Sequence, residues 1–409
     1  MIERYLNPEI NSIWDDQNKF DTWKLVQEKY VETLEELDVA ENGIAKKINQ
    51  SIVQKDEVYK QEEITNHDLA SFVDILQKKV GEGSNWIHYG LTSSDIVDTA
   101  NSILIMQSLD YVKDLINDLL STLEEKAVQE KDTSIIGRTH GVYAEETFLG
   151  NIFGNWYLEV ARGLNRLENS KNNISFGKLS GPVGNHSIVT SEMEKLTLEK
   201  LNLKSEQFAN QIVSRDRYAE VVSSLGILAS TYERIATNIR SYQRSEISEM
   251  FESFKDGQKG SSAMPHKKNP IGSERITGIA RIMRSYVSTS LENMVLWNER
   301  DISNSSVERI MLPDAFHLIS FMSIELNSIL KHLVINYEQI KVNLEDAKNK
   351  SISQKYLSFL VNNGVDRDTA YRKIQEEIFN NLSTEELKKE LEKEFKLEFP
   401  DLENQVNKN

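Results

Sequence analysis

Long stretches of this chain place apolar residues three and four positions apart, which is the period of one helix face. Five stretches keep such a face for several turns: residues 96–123, 148–167, 221–239, 276–294 and 313–333. The last helix is expected to begin near Pro313, because proline is well tolerated in the first turn of a helix. No alternating run of comparable strength indicates a β-strand. The pattern therefore predicts five long amphipathic helices.

Helices of this length, each with an apolar stripe wider than one neighbour requires, are expected to pack into a bundle. The predicted fold class is all-α, with an N-terminal helical domain over residues 1–92, a central long bundle over 93–340 and a short, charged helical domain over 341–409. The stripes are also broader than a monomer needs. An ordinary helical domain whose stripes contact only one another is the alternative.

The composition of the 409 residues limits the classes of protein to which the chain can belong. Hydrophobic residues make up 39%, enough for a large core, and the absence of cysteine leaves no disulfide and no thiolate metal site. A formal net charge of −16 argues against a nucleic-acid partner, although a small anionic substrate fits wherever cations gather. The sequence begins without a signal peptide and contains no apolar run of about eighteen residues, so we expect a cytoplasmic protein without a membrane partner.

The segment richest in chemistry is the loop of residues 257–270, Gly-Gln-Lys-Gly-Ser-Ser-Ala-Met-Pro-His-Lys-Lys-Asn-Pro. Its glycines and prolines prevent regular structure, and hydroxyl, amide and ammonium groups lie between them. Cations gather in and around it, at Lys255, Lys259, Lys267, Lys268 and Arg275. Any one of these lysines, taken alone, is an ordinary solvated residue. Together with the helix-breaking residues they indicate a mobile loop that handles an anion.

Histidine is the side chain best suited to acid–base chemistry near neutral pH, and the chain has seven. None has the close spacing of a zinc site, so no metal and no cofactor are expected. His140 stands out, because it follows Arg138-Thr139 and precedes Gly141 in a short break between two predicted helices. Ser261 can act as a base only where nearby cations and backbone donors stabilise its alkoxide, and taken alone it belongs to a flexible loop.

Six further blocks of sequence, in order, carry a resemblance together with this loop. They are Glu3-Arg4-Tyr5, His67-Asp68, His88-Tyr89-Gly90-Leu91-Thr92-Ser93, Arg138-Thr139-His140-Gly141, Arg215-Asp216-Arg217 and Glu299-Arg300-Asp301-Ile302-Ser303. With them the chain resembles the adenylosuccinate lyase branch of the fumarase/aspartase superfamily, over residues 1–340. One such block would be weak evidence, whereas six in order and a long loop are specific.

The resemblance implies a lyase that eliminates fumarate across a carbon–nitrogen bond. Its substrates would be adenylosuccinate, which gives AMP, and succinyl-aminoimidazole-carboxamide ribotide of purine biosynthesis. In this reaction Ser261 is the general base that removes the proton next to a carboxylate, and His140 is the general acid for the departing nitrogen. Lys267 and Asn269, with loop amides, would bind the growing negative charge as the loop closes.

The resemblance also implies the ligands of the substrate. It assigns nucleotide contacts to Arg4 and Tyr5, carboxylate contacts to Thr92 and Ser93, an amide near the reacting end to Gln211, a further ligand to Ser262, and the phosphate region to His67, Asp68, Arg300, Ser305 and Arg309. It implies a homotetramer whose active sites combine blocks from three chains. It also implies a longer third domain than residues 341–409 provide.

Five positions depart from the family pattern. Asn66 and Arg275 stand in place of an arginine and an asparagine, Tyr143 and Glu146 in place of a histidine and a proline, and Asn304 in place of a histidine. We expect Arg275 to supply the cation that is missing at Asn66 and to contact the substrate. Three hypotheses stay open: a divergent adenylosuccinate lyase, a paralogue that releases fumarate from another succinyl-amine, and a non-catalytic descendant. Retention of the base, the acid and their loop partners argues against the last.

Overall fold

The computed structural model describes residues 1–254, 257–380, 382–400 and 402, so Lys255 lies outside the described residues. Most of the described chain is helical, and the all-α prediction is confirmed. The α-helices are α1 (Pro8–Trp14), α2 (Asp16–Glu36), α3 (Ile44–Gln50), α4 (Lys55–Thr65), α5 (Asp68–Val80), α6 (Ser93–Gln129), α7 (Leu149–Ile174), α8 (Ser191–Lys200), α9 (Arg215–Tyr242), α10 (Ile271–Glu292), α11 (Ser303–Lys331), α12 (Tyr337–Ser351), α13 (Ser353–Asn362), α14 (Arg367–Phe379) and α15 (Thr384–Phe395). No helix in this described part combines the length and apolar character that a bilayer span requires.

The five long helices predicted from the apolar pattern are α6, α7, α9, α10 and α11. One detail of the prediction is wrong: α11 begins at Ser303, and Pro313 lies inside it. Proline has no N–H group, so the carbonyl of Arg309, one turn earlier, loses its helical partner. Arg309 is exposed, and solvent can satisfy that carbonyl instead.

Short strands, which the sequence pattern did not predict, join the helices. β1 (Ser134–Thr139) and β2 (Val142–Phe148) form an antiparallel hairpin with a shift of register between Ile136 and Arg138. The break between two helices that the sequence predicts at His140 is the turn of this hairpin. The remaining strands pair as β3 (Phe176–Gly177) with β4 (Lys204–Ser205) in parallel and β5 (Met250–Phe251) with β6 (Val334–Ile335) in antiparallel orientation.

The chain divides into two compact units. The first unit comprises Met1–Leu119, Glu159–Arg234 and Arg275–Asn327, and the second unit comprises Leu120–Leu158, Ile235–Glu274 and the described part of Ser328–Asn409. The division into three domains that the sequence indicates stays a prediction.

In the first unit, α2 and α5 pack through aromatic side chains. The ring centroid of Trp23 lies 5.2 Å from that of Phe20 and 5.6 Å from that of Phe72, and both contacts are edge-on. All three side chains are buried, in a cluster that extends to α3 and α6. Edge-to-face contacts add to the stabilisation that burial of apolar area provides. This core fixes α5, whose N-terminus reaches the candidate site.

In the second unit, the C-terminal helices enclose a small core of their own. The ring centroid of Phe399 lies 5.0 Å from that of Tyr356 and 4.5 Å from that of Phe359. α15 begins with a capping box, in which Ser383 and Glu386 each satisfy a backbone N–H group of the other. The charged tail of the sequence analysis is therefore a packed set of helices.

A buried ion pair fixes the start of α6. Lys178 and Asp95 are fully buried, and Nζ of Lys178 donates to Oδ1 of Asp95 and, at 3.0 Å, to the carbonyl of Gly181. The same carboxylate accepts the backbone N–H groups of Thr92 (2.7 Å), Ser180 (3.2 Å) and Gly181 (3.2 Å). Burial raises the pKa of Asp95, although Lys178 and these amides favour its charged form. Asp95 thereby ties the segment before α6 to the segment after β3.

Lys178→Met should be strongly destabilising, because it leaves the buried Asp95 carboxylate without its counter-charge. We expect the free energy of unfolding, measured by urea titration, to fall by about 3–5 kcal/mol. Lys113→Met is the matched control: Lys113 pairs with Glu168 at 2.8 Å on the surface, so its loss should leave stability almost unchanged. Equal effects of the two substitutions would contradict the role given to the buried pair.

Candidate active site

A cavity of ≈ 420 Å³ lies within the first unit. Its walls come from α1 and α2, from the starts of α5, α6 and α9, from the following turns of α6 and from α11 with the residues that precede it. Eight residues that the resemblance assigns to the substrate line it: His67, Asp68, Thr92, Ser93, Gln211, Arg300, Ser305 and Arg309. The fold thus gathers residues from distant parts of the sequence in one place.

One face of α6 forms a long wall of this cavity. Ser94, Val97, Asp98, Asn101 and Leu104 line it at intervals of three or four residues, so they lie on the same side of the helix. The ten steps from the first to the last of these residues, each with a rise of about 1.5 Å, give a wall roughly 15 Å long. That length suits an extended small molecule better than a single ion.

His67 and Ser93 meet at the polar end of the cavity. Nδ1 of His67 accepts the backbone N–H of Ala70 at 3.3 Å, so the neutral ring carries its proton on Nε2. Nε2 lies 3.3 Å from Oγ of Ser93 and donates to it. The two residues stand at the starts of α5 and α6, where helix dipoles contribute partial positive charge. This end of the cavity is therefore suited to an anion.

Asp68 and Arg309 form an ion pair beside these residues. A terminal nitrogen of Arg309 donates to Oδ2 of Asp68, and the Leu69 amide donates to Oδ1 at 2.7 Å. Burial alone would raise the pKa of Asp68, but the Arg309 charge and these hydrogen bonds outweigh burial and hold that pKa below its usual value. Arg309 also donates from Nε to Oγ of Ser305 at 3.4 Å. Its side chain stays 56% exposed, so it is accessible to a ligand.

Arg300 is partly buried in the same wall and donates from Nη1 to Oε1 of Gln211 at 3.2 Å. Burial lowers the pKa of Arg300, with the charge of Arg215 acting in the same direction and the carboxylates of Asp98 and Glu308 acting against both. The guanidinium holds the oxygen of Gln211, so the amide nitrogen of Gln211 is the end that can donate to a ligand.

Three predicted ligands, Arg4, Tyr5 and Arg275, belong to the first unit but are not among the residues that line the cavity. The rings of Tyr5 and Phe321 meet edge-on at 5.0 Å, and the guanidinium of Arg275 lies 5.8 Å from the centroid of the same Phe321 ring. Arg275 also donates to Glu325 at 3.0 Å. Its contact with the substrate stays a prediction.

The structure offers a local reason for asparagine at position 66. Asn66 caps the C-terminus of α4 with a left-handed backbone, φ 50°. Asparagine adopts this conformation more readily than arginine does. This departure from the family pattern is therefore compatible with a backbone requirement alone, and the expected exchange of roles with Arg275 stays a prediction.

His140, the predicted general acid, belongs to the second unit. With Gly141 it forms the two-residue turn between β1 and β2, and both residues have positive φ, 55° and 79°. Turns with two positive φ angles match the twist of a hairpin, and histidine tolerates them better than most residues do. The turn leaves the His140 side chain exposed at the tip.

A buried carboxylate anchors the strand that leads to His140. Arg138 donates two hydrogen bonds, of 2.8 and 2.7 Å, to Glu249, which is fully buried and also accepts from Asn343 at 2.8 Å. The guanidinium of Arg138 lies 5.3 Å from the ring centroid of Tyr143, its partner across the hairpin. Tyr143, one of the departures, thus packs against the anchored side chain. Nothing in the structure explains Glu146, which lies opposite Ile136.

The loop of residues 257–270, also in the second unit, is tied at its base. Nδ2 of Asn269 donates to the carbonyl of Gly260 at 2.8 Å, and Nε2 of Gln243 donates to the carbonyl of Lys268 at 2.9 Å. The predicted ligands Ser262 and Lys267 are exposed between these ties. Asn269 therefore has a structural contact in addition to its predicted role.

Ser261 occupies a tight turn within this loop. Its Oγ accepts the backbone N–H groups of Ala263 at 3.2 Å and Met264 at 3.0 Å. Two amide dipoles therefore point at the oxygen that would carry a negative charge in a general base. This is the kind of backbone donor that the chemistry of Ser261 requires.

Sequence reasoning missed the role of the charged residues buried at the cavity wall. Asp98 and Glu308 are buried there, and Arg215 appeared only as part of a sequence block. A signal was present, because Asp95 and Asp98 are carboxylates among the buried residues at the start of α6, where charged side chains are rare unless they are paired. Among the described residues no three His, Asp or Glu side chains are grouped as a metal site requires.

His88 is a further histidine that lies close to the site. Nε2 of Gln27 lies 3.0 Å from its Nδ1, and its backbone N–H donates to Oε1 of Gln27 at 3.0 Å. Burial, together with the nearby charge of His67, lowers the pKa of His88 to about 4. His88 is therefore neutral at pH 7, and its backbone has φ 64°.

Comparison with known proteins identifies a family that the chain resembles over most of its length. A family model described as "Lyase" matches residues 17–284. The chain is 42% identical over 381 residues to the adenylosuccinate lyase of Aquifex aeolicus, a match that covers 92% of this chain and 87% of the relative. It is 41% identical over 386 residues to the adenylosuccinate lyase of Thermotoga maritima, covering 94% and 90%.

Solved structures share the fold at lower identity. A fumarate lyase from Mesorhizobium superposes with a TM-score of 0.84 at 19% identity, over 96% of this chain and 92% of the other. A 3-carboxy-cis,cis-muconate lactonizing enzyme from Pseudomonas putida gives 0.84 at 21% identity, over 95% and 91%. At this identity the likeness concerns the fold alone.

The low pKa of His88 makes stability depend on pH. The unfolded chain, with the ordinary histidine pKa of 6.5, binds a proton before the folded chain does, so stability rises with pH between about 4 and 6.5. We expect this residue to contribute at most about 3 kcal/mol over that range. In urea titrations at several pH values, His88→Asn should remove that part of the slope, since asparagine tolerates the positive φ. His332→Asn, at an exposed histidine, should keep the wild-type slope, and an unchanged slope in His88→Asn would contradict the assignment.

Proposed function

We propose that this chain, which belongs to the adenylosuccinate lyase family, eliminates fumarate from adenylosuccinate and leaves AMP. It is a carbon–nitrogen lyase, and its second substrate is succinyl-aminoimidazole-carboxamide ribotide of purine biosynthesis. The observation that carries the proposal is the cavity of the first unit, where the guanidinium groups of Arg300 and Arg309, the hydroxyl groups at the start of α6 and His67 line one space. A substrate with one phosphate and two carboxylates needs such partners.

The anionic groups of the substrate divide between two parts of this cavity. Arg300, Arg309 and Ser305 bind the phosphate, because guanidinium groups match the geometry of its oxygens. Thr92 and Ser93 bind the succinyl carboxylates at the start of α6, where backbone N–H groups and the helix dipole favour negative charge. Asp68 holds Arg309 in place, and the ion pair between these two side chains supports this role.

The reaction begins when Ser261 removes the proton from the carbon next to a succinyl carboxylate. The amides of Ala263 and Met264 already donate to its oxygen and stabilise the alkoxide that acts as the base. The electron pair of the broken carbon–hydrogen bond moves into the carboxylate and gives an aci-carboxylate dianion. Lys267 and Asn269 stabilise this dianion when the loop closes over the substrate.

The second half of the reaction breaks the carbon–nitrogen bond. As the dianion collapses, its electron pair forms the double bond of fumarate and the nitrogen departs. His140 gives this nitrogen a proton, from a hairpin tip that the Arg138 and Glu249 pair holds in place. The products are fumarate and AMP.

A homotetramer with active sites shared between chains is part of the proposal, as is a cytoplasmic location. Exposed apolar side chains on the long helices of the first unit support association. Ile227 of α9 is 47% exposed, Ile282 of α10 is 45% exposed and Ile324 of α11 is 46% exposed. Contact with other copies would remove such residues from water.

Ser261→Ala and His140→Ala should each lower kcat by about a hundredfold or more, because each removes a proton-transfer group. Fumarate release is followed by ultraviolet absorbance, with adenylosuccinate, succinyl-aminoimidazole-carboxamide ribotide and argininosuccinate assayed side by side. His332→Ala, at an exposed histidine, is the control and should retain wild-type activity. Activity of either variant within about tenfold of wild type would exclude that residue's role. Wild-type turnover of argininosuccinate alone would favour the paralogue hypothesis.

Shared active sites predict complementation between the two inactive variants. Ser261→Ala and His140→Ala proteins, mixed after mild dissociation and then reassociated, should regain part of the activity, since some sites receive both intact residues. Each variant treated alone is the control and should stay inactive. Reassociated mixtures that form tetramers by light scattering but recover no activity would show that each chain is self-contained.

A further inference from the structure

A buried arginine at the cavity wall has every donor engaged. Arg215, the first residue of α9, donates two hydrogen bonds to Asp98 (2.6 and 3.0 Å) and two to Glu308 (2.7 and 3.0 Å). A fifth goes to the carbonyl of Val213 at 2.8 Å. A guanidinium group has five N–H donors, so Arg215 has none left for a substrate. It acts on the site only through other residues.

The hydrogen bonds continue from Glu308 to two predicted substrate ligands. Asn304 is fully buried and donates from Nδ2 to both carboxylate oxygens of Glu308, at 3.1 and 3.2 Å. Its Oδ1 accepts the Nε–H of Arg300 at 3.2 Å, and Arg300 donates onward to Gln211 at 3.2 Å. One amide side chain therefore connects a fixed group of charges to two residues of the cavity.

An amide is well suited to this position, because it donates and accepts at once. A carboxylate at position 304 would repel Glu308, and an ammonium group would offer no acceptor to Arg300. With Nε bound to Asn304 and Nη1 bound to Gln211, the direction of the remaining Arg300 donors is set. Without these anchors, an anion that binds Arg300 would also have to order its side chain, which weakens binding.

We propose that Asn304 is a positioning residue that aims Arg300 and Gln211 at an oxyanion of the substrate, with the Asp98, Arg215 and Glu308 group as its rigid support. This inference rests on the proposed function, in which the oxyanion at Arg300 is the phosphate of adenylosuccinate; the experiment below separates this from binding of a carboxylate. The resemblance places a histidine at position 304 in the family, so the amide link is a feature of this chain's own site.

Asn304→Leu tests the proposal, because leucine has a similar volume and forms neither hydrogen bond. We expect the Kd of AMP, measured by calorimetry, to rise about tenfold, with a parallel rise in the KM for adenylosuccinate and a smaller fall in kcat. Fumarate and adenosine are titrated separately. Weakened binding of AMP but not fumarate assigns Arg300 to the phosphate, weakened binding of fumarate assigns it to a carboxylate, and adenosine should be unaffected.

Two comparisons separate positioning from a general structural effect. Asn293 donates to the backbone carbonyl of Asn304 at 3.3 Å without joining the chain to Arg300, so Asn293→Leu should change the Kd by less than about twofold. In an Arg300→Ala background, Asn304→Leu should cause no further loss, because no guanidinium is left to position. Additive losses would overturn the proposal. If the leucine variant fails to fold, Asn304→Ser, whose hydroxyl is too short to reach both partners, takes its place with the same expectations.

Failure of the proposed function is a separate result. It would appear as a wild-type protein that neither binds AMP nor releases fumarate from adenylosuccinate. A wild-type protein that does both, with an Asn304→Leu variant of unchanged affinity for AMP and for fumarate, contradicts only the positioning role.

Discussion

Three charged side chains buried between long helices are costly unless every polar atom finds a partner, and Asp98, Arg215 and Glu308 meet this condition. Each comes from a different helix, α6, α9 or α11. Hydrogen bonds tolerate little change in length or angle, so this group fixes how the three helices are rotated about their axes. The rotation decides which residues of α6 and α11 face the cavity. Two carboxylates against one cation also leave a negative charge near Arg300, which favours its protonated form.

The start of α6 in the first unit has a similar arrangement. There the fully buried Asp95 carboxylate accepts hydrogen bonds from the ammonium group of Lys178 and from three backbone amides. Buried polar groups of this kind add less to stability than apolar packing would, but they permit few alternative arrangements. Several of the predicted anion ligands, Asp68, Ser93, Ser305 and Arg309, therefore lie on helices that cannot easily shift. The proposed base, Ser261, lies in contrast on a loop of the second unit. In the proposed function, groups that bind the substrate thus lie on rigid elements and the base lies on a loop.

The spacing of apolar residues located the five long helices. Each helix buries one continuous face, and that face is visible in the sequence as apolar residues three and four positions apart. The spacing did not locate β1 and β2, because burial does not alternate along them: Ile135 and Ile136 are both buried where the register shifts. The apolar pattern also placed the start of α11 too late, at Pro313. A proline inside a helix leaves the carbonyl one turn earlier without its helical partner, and the pattern does not show that solvent can satisfy this carbonyl. The predicted ligands that line the cavity came from the resemblance to a known family. The part played by Asn304 did not, because its partners come together only in the folded chain.

Within the loop of residues 257–270, the Asn269 side chain donates to the Gly260 carbonyl and so joins the two ends of the segment between them. The entropic cost of closing a loop rises only slowly with its length, so this segment tolerates changes that leave its two ends in place. Gly260 itself has no such freedom, because a Cβ atom there would lie 2.0 Å from the Lys267 carbonyl oxygen. The contact between Asn269 and Gly260 and the close approach at Gly260 therefore hold the shape of this segment, while the residues between these two positions are left available for chemistry.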